Sequence, residues 1–151
     1  TGGVEMQNFE HELKKFDKEK GLEERVYFSG EVGNVHEYLQ ASDIFVFPSE
    51  EDAFPLALVE AMACGLPVIS TPVGGIQEII TDRQNGLLVQ ARNFQQLYQA
   101  ISGLLRNPAL AASLGTVAVQ TVQERYSARV IIKKYCELFR RVHSGCIARS
   151  S

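Results

Sequence analysis

Residues 48–78 (PSEEDAFPLALVEAMACGLPVISTPVGGIQE) constrain the fold of this chain more than any other part of it. They predict, in order, a strand end, an acidic loop, a helix that starts at a proline, a buried strand, a Gly-Gly loop and a second helix. In a parallel sheet this order places loops and helix N-termini at the carboxyl edge, where open α/β sheets bind their ligands. Because free backbone N–H groups at helix N-termini attract anions, a phosphate-containing ligand is expected at this edge.

Strand and helix patterns alternate over most of the chain. Strands are predicted at residues 25–29, 43–47, 67–70 and 87–89. Helices are predicted before Gly21 and at residues 34–39, 55–63, 75–80, 94–105, 109–124 and 128–142. This alternation predicts an α/β fold, a Rossmann-like parallel sheet with helices on both faces. Since the chain opens with a helix where such a domain normally opens with a strand, we expect its first strands to be missing.

Composition limits the domain count and the classes of partner. With 151 residues, 45% of them hydrophobic, the chain is expected to fill one ordinary core. A net charge of −3 argues against a nucleic-acid partner. The three cysteines have irregular spacing, which predicts neither disulfides nor zinc and favours a reducing cytoplasmic setting. A metal cluster of Cys136, Cys146 and His143 is a weak alternative, so no metal site is predicted.

Carboxylates surround the helix that is expected to begin at Pro55. Glu50, Glu51 and Asp52 precede it, and helix capping accounts for such residues as well as a ligand does. Glu60 is different, because it stands among apolar residues of the helix, where a buried and unpaired carboxylate would cost several kcal/mol. We therefore expect Glu60 to have a partner, and a pair of sugar hydroxyls would be suitable.

The same residues resemble the donor-site signature of retaining GT-B glycosyltransferases, family four in particular. That signature has two glutamates separated by seven residues, followed by Ala-Met-Ala-x-Gly-x-Pro-Val, and residues 60–68 (EAMACGLPV) match its second half. The resemblance implies that Glu60 binds the ribose hydroxyls of a nucleotide-sugar donor. The first glutamate falls on Asp52, whose side chain is one methylene shorter, and Ala53 replaces the usual glycine. A catalytic position for Asp52, near the transferred sugar, follows from the resemblance but departs from the family pattern.

Three further segments match the family. Phe54, Pro55 and Leu56 match the loop whose backbone meets the donor sugar and phosphate, although Pro55 has no N–H to donate. The segment around Val32 matches the loop that meets the nucleobase. The family's Gly-Gly-x-x-Glu element is present as well, and it supplies the remaining donor-binding residues: Gly74, Gly75 and Glu78.

The resemblance also implies what the chain lacks. Residues 1–151 would form a single C-terminal, nucleotide-sugar-binding domain, truncated at its N-terminus. The acceptor domain and the Arg and Lys that hold the donor pyrophosphate would precede Thr1. The full enzyme would transfer a sugar from a nucleotide-diphosphate sugar to an unknown acceptor, with retention and without a metal or other cofactor, and the isolated chain would be inactive.

Two other functions compete with this one. The alternative is a non-catalytic nucleotide or nucleotide-sugar binding module, which the departures at Asp52 and Ala53 favour. A dinucleotide-dependent oxidoreductase is disfavoured, because no Gly-x-Gly-x-x-Gly follows a strand.

The last predicted helix is basic on one face and apolar on the other. Such helices can lie on anionic membranes, which keeps peripheral association with the inner membrane surface open. A solvated charged face above an apolar packing face is the favoured interpretation. No apolar run approaches the roughly 20 residues of a membrane span. The reducing setting that the cysteines favour makes a cytoplasmic protein the expectation.

Overall fold

The computed structural model describes residues 2–148, and it describes side chains for residues 9–143. The chain divides into two compact units, the first ending at Gly33 and the second beginning at Asn34. The first unit contains helix α1 (Gly2–Glu19), which ends before Gly21 as the sequence predicts. Gly21 follows it with a φ of 64°, a left-handed conformation that glycine adopts without strain.

The prediction of a strand at residues 25–29 is wrong. These residues form a turn followed by irregular backbone. The N–H groups of Arg25 and Val26 both donate to the carbonyl oxygen of Leu22, at 2.7 and 3.0 Å. In a strand, these backbone N–H groups would pair with a neighbouring strand. β-forming side chains alone did not produce a strand here.

The second unit is built around a parallel sheet. In its described residues the strands are β1 (Phe45–Phe47), β2 (Val68–Ser70) and β3 (Leu87–Leu88), in that spatial order. Phe45 lies opposite Val68, and Ile69 lies opposite Leu87. The helices are α2 (Val35–Gln40), α3 (Leu56–Ala63), α4 (Ile76–Ile79), α5 (Phe94–Arg106), α6 (Pro108–Arg125) and α7 (Ala128–Ala148).

Helices cover both faces of the sheet. Adjacent residues of the central strand separate the core into two clusters, because successive side chains of a strand point to opposite faces. Val68 belongs to a cluster with Leu58 and Met62 of α3. Ile69 belongs to the other, with Leu104 of α5 and Leu114 of α6. Since all three residues of β2 are buried, the predicted Rossmann-like fold with helices on both faces is confirmed.

Candidate functional site

The acidic loop between β1 and α3 is tied to the end of the neighbouring strand. The buried Ser70 donates its hydroxyl to the backbone oxygen of Phe47 at 2.8 Å. The buried Thr71 donates its hydroxyl to the backbone oxygen of Ser49. These bonds fix the point at which the loop leaves the sheet, at the carboxyl edge of β1 and β2.

Helix α3 begins one residue later than the sequence predicts. Pro55 is its N-cap, with φ −77° and ψ 105°, and the first helical residue is Leu56. No side chain in the described part of the chain caps this helix. Asp52 is therefore not a cap of α3, which removes the capping explanation for that residue. The first N–H groups of α3 have no side-chain acceptor there, and such groups attract anions.

The Gly-Gly loop lies directly against the acidic loop. The N–H of Gly75 donates to the carbonyl oxygen of Ala53 at 3.0 Å. Gly74 has a φ of 50°, and a Cβ on it would lie 1.7 Å from the carbonyl oxygen of Asp52. A Cβ on Gly75 would lie 2.5 Å from the carbonyl oxygen of Ala53. Only glycine permits this backbone contact, so the structure brings together two segments that the sequence predicts for donor binding.

The side chain of Glu60 is exposed and is not enclosed by the apolar residues that surround it in the sequence. Leu58, Ala61 and Met62 fill the buried face of α3, and Glu60 lies on its other side. An exposed carboxylate carries no burial penalty, so Glu60 does not need the partner that a buried carboxylate would need. Its exposure leaves it accessible to a ligand.

The other predicted contact residues have different surroundings. Phe54 is 42% exposed, and Leu56 is 68% exposed at the first turn of α3. Glu78 lies exposed on the short helix α4. Val32 belongs to the first unit, where it is half-buried in irregular backbone.

Sequence reasoning missed an ion pair at the start of the acidic loop. The guanidinium of Arg92 donates to both carboxylate oxygens of Glu50, at 2.7 and 2.6 Å. This hydrogen bonding lowers the pKa of the Glu50 carboxyl and raises the pKa of Arg92. Arg92 lies after β3 with a φ of 61°, so the loops following β1 and β3 are joined. Its place just beyond a strand end was the signal that could have found it.

A cavity of about 420 Å³ lies beside the edge strand, between β3 and α5. Its lining includes Leu88, Gln99 and Leu104, and it includes none of the residues predicted to bind a donor. Cavity volume therefore does not identify the predicted site, which is an open edge of loops and helix starts.

The structure records no metal-ligating group of three His, Cys, Asp or Glu within its described residues. Cys136 is a free thiol, and the side chain of Cys146 lies outside the described residues. None of the helices within residues 2–148 combines the length and the apolar composition that a membrane span requires.

Known proteins are similar to this chain in sequence and in fold. The family model for glycosyl transferases group 1 matches residues 2–121. The chain is 37% identical over 114 residues to an N-acetyl-alpha-D-glucosaminyl L-malate synthase from Bacillus anthracis, covering 76% of this chain and 30% of that protein. It is 33% identical to the lipopolysaccharide core biosynthesis mannosyltransferase LpsB from Rhizobium meliloti, covering 87% and 39%. The chain thus spans about a third of the length of these curated relatives.

Solved structures match over a similar extent. The Anabaena protein HepE in complex with UDP-glucose has a TM-score of 0.84 at 26% identity, covering 89% of this chain and 37% of that one. HepE has also been solved with UDP. The C-terminal domain of a group 1 family glycosyl transferase, LpcC from Francisella tularensis, has a TM-score of 0.72 at 29% identity, covering 80% of this chain and 64% of that one.

Proposed function

This chain belongs to the group 1 glycosyl transferases, and on that premise we propose that it is the C-terminal donor-binding domain of a longer enzyme. The enzyme would transfer a sugar from a nucleotide-diphosphate sugar to an acceptor, with retention of the anomeric configuration. A preceding domain would bind the acceptor, as expected for a chain that spans about a third of its relatives.

One observation carries the proposal. The acidic loop and the Gly-Gly loop meet through backbone contacts at the carboxyl edge of the sheet, beside a helix N-terminus that has no side-chain cap in the described chain. This arrangement offers backbone donors to phosphate and sugar oxygens. It receives support from HepE, a similar structure that was solved with UDP and with UDP-glucose.

Each predicted residue has a role in this proposal. Backbone N–H groups of Phe54 and Leu56 meet the donor sugar and phosphate, and Pro55 fixes the helix start without donating. Glu60 accepts hydrogen bonds from the ribose hydroxyls. Asp52 lies near the transferred sugar.

The remaining contacts would complete the donor site. Gly74 and Gly75 let the backbone approach the donor closely, and Glu78 adds a carboxylate at the same loop. Val32 contacts the nucleobase through its backbone. The Arg and Lys that hold the pyrophosphate are proposed to lie upstream of Thr1.

Catalysis would consist mainly of positioning and of stabilising charge on the leaving diphosphate. Preorganised N–H groups do this without reorganising during the reaction. We propose that no metal ion takes part.

The alternative function is a nucleotide-sugar binding module without turnover. Asp52 and Ala53, which depart from the family pattern, favour it. Turnover by the full-length protein separates the two, because a binding module would retain the donor without releasing the nucleoside diphosphate.

Glu60→Gln tests donor binding in the full-length enzyme. Loss of a charged acceptor is expected to weaken nucleotide-sugar binding by roughly 1.5–3 kcal/mol, measured by calorimetry. Because Glu60 is exposed, the fold should be unaffected. Glu124→Gln, at an exposed position of α6, is the matched control and should bind normally. Unchanged affinity of the Glu60→Gln variant would show that Glu60 has no role in donor binding.

A further inference from the structure

The side chain of Tyr126 contacts two segments of the proposed donor site. Its ring lies 5.8 Å from the ring of Phe54, centroid to centroid, at an interplanar angle of 56°. Its hydroxyl donates to the backbone oxygen of Glu78 at 3.1 Å. Tyr126 is thus joined to the loop before α3 and to helix α4 at once.

Helix α6 and the core hold Tyr126 in place. It is the C-cap of α6, and its N–H donates to the carbonyl oxygen of Val122 at 2.9 Å. Its ring packs against the core cluster that contains Leu58 and Met62. The guanidinium of Arg125 lies 5.4 Å from the ring centroid.

A second tie fixes α6 relative to α4. The buried Asn85 donates its amide to the backbone oxygen of Ile79 at 3.0 Å and to the hydroxyl of Thr121 at 3.2 Å. Thr121 lies on α6, just over one turn before Tyr126. The backbone of Tyr126 therefore has a fixed position. The two segments of the site that its side chain touches lie in exposed loops or short helices.

We propose that Tyr126 is a positioning residue for the donor site, which sets the place of Phe54 through its ring and of Glu78 through its hydroxyl. This inference rests on the proposed function. Tilted aromatic pairs are stabilising beyond the area that they bury, so the ring contact restricts the rotamer and backbone of Phe54. The restriction would be required before the neighbouring N–H groups can meet a diphosphate.

The test uses the full-length enzyme and the nucleoside diphosphate, among UDP, ADP and GDP, that the wild type binds best. Tyr126→Leu is expected to weaken its binding about 3- to 10-fold, a range that corresponds to the energy of one aromatic pair. Tyr126→Phe keeps the ring and should recover most of the affinity. Tyr98→Leu, at a position 66% exposed on α5, is the matched control and should bind normally.

A second variant changes Phe54, the other partner in the ring contact with Tyr126. Phe54→Leu should weaken binding by a similar factor, and the double variant with Tyr126→Leu should lose less than the product of the two factors, since both remove one contact. Phe54→Leu alone remains informative if Tyr126→Leu does not fold. The KM for the nucleotide sugar should rise in the variants more than kcat falls.

Thermal unfolding separates positioning from packing. A lower Tm in Tyr126→Leu with unchanged affinity of the folded protein would overturn the inference, as would fully multiplicative effects of the two variants. If the wild type binds none of the three nucleotides, the proposed function fails and the inference fails with it. Normal wild-type binding with unaffected variants overturns the inference alone.

Discussion

At the scale of single residues, Gly74 is the position where the site tolerates least change. Its φ is 50°, and a Cβ at this position would lie only 1.7 Å from the carbonyl oxygen of Asp52, so both properties exclude a larger residue. The clash is with backbone, which cannot move aside as a side-chain end does. The contact between the acidic loop and the Gly-Gly loop therefore depends on this glycine.

Gly74→Ala is predicted to lower the free energy of unfolding by about 1–3 kcal/mol, since it adds a strained backbone conformation. Urea unfolding measures it. Gly103→Ala on α5 is the control: apart from its chain neighbours and the backbone of its own helix, a Cβ there would meet no atom within 4 Å, and alanine should stabilise the helix by about 0.5–1 kcal/mol. Equal stability of Gly74→Ala and the wild type would show that the two loops do not meet as described.

Asp52→Asn tests the departure from the family pattern. If the carboxylate acts near the transferred sugar, kcat of the full-length enzyme should fall by more than donor affinity, because the interaction would be concentrated in the transition state. Steady-state kinetics and donor titration give the two quantities. Glu51→Gln, a neighbouring exposed carboxylate, is the control. A variant with normal kcat would remove Asp52 from catalysis.

Residue identity predicted which loops meet at one edge of the sheet better than it predicted the surroundings of Glu60. The Pro55 helix start and the Gly-Gly pair identified two segments that the structure brings to one edge of the sheet. The partner expected for Glu60 from its apolar sequence neighbours is not required by burial, because those neighbours occupy the opposite side of α3. Tyr126 and Arg92 were missed, since each acts through a partner more than 40 residues away, and local patterns carry no information on such pairs.

At the scale of elements, the acidic loop is held at both ends. Arg92 and Glu50 join its start to the loop after β3, while Phe54 near its end contacts Tyr126. The lowered pKa of Glu50 means that the folded state binds a proton less readily there than the unfolded state does. The stabilisation is therefore present above the ordinary pKa of a glutamate and is lost as pH falls through the lowered folded-state pKa.

Glu50→Gln should lower the urea midpoint slightly at neutral pH and leave it unchanged at a pH well below the lowered pKa of Glu50, where the wild-type carboxyl is protonated as well. The effect is expected to be small, because both side chains are more than half exposed. It should shrink further at high salt. Glu51→Gln provides the baseline. A difference between Glu50→Gln and the wild type that persists unchanged at low pH would contradict the ion pair.

Helices and strands were predicted where periodicity and end signals agreed. Helix α3 ends as expected before a glycine with positive φ, Gly65, and α6 (Pro108–Arg125) begins one residue before the predicted start at residue 109. Glycine and proline act on the local backbone, so helix ends of this kind can be predicted from the sequence alone. The strand expected at residues 25–29 failed because a strand also depends on a partner, which β-propensity does not specify.

At the scale of the whole molecule, the proposed enzyme consists of this chain and a preceding domain. The 151-residue chain is predicted to transfer no sugar from any nucleotide sugar, because the acceptor site and the pyrophosphate-binding cations would be absent from it. Release of nucleoside diphosphate from a panel of nucleotide sugars measures this, with the Glu60→Ala chain as background. Turnover above that background would show that the chain needs no further domain.

Nuclear magnetic resonance can locate a bound nucleotide on the chain and so test donor binding at this edge of the sheet. In a titration of the isotope-labelled 151-residue chain with UDP, ADP and GDP, we predict that one of them shifts the amide resonances of Phe54, Leu56, Gly74 and Gly75 most strongly. Glu60→Gln should reduce these shifts at equal nucleotide concentration. Donor binding at this edge would be contradicted by shifts that concentrate instead on the lining of the cavity between β3 and α5, at Leu88, Gln99 and Leu104, or by no shift with any of the three nucleotides.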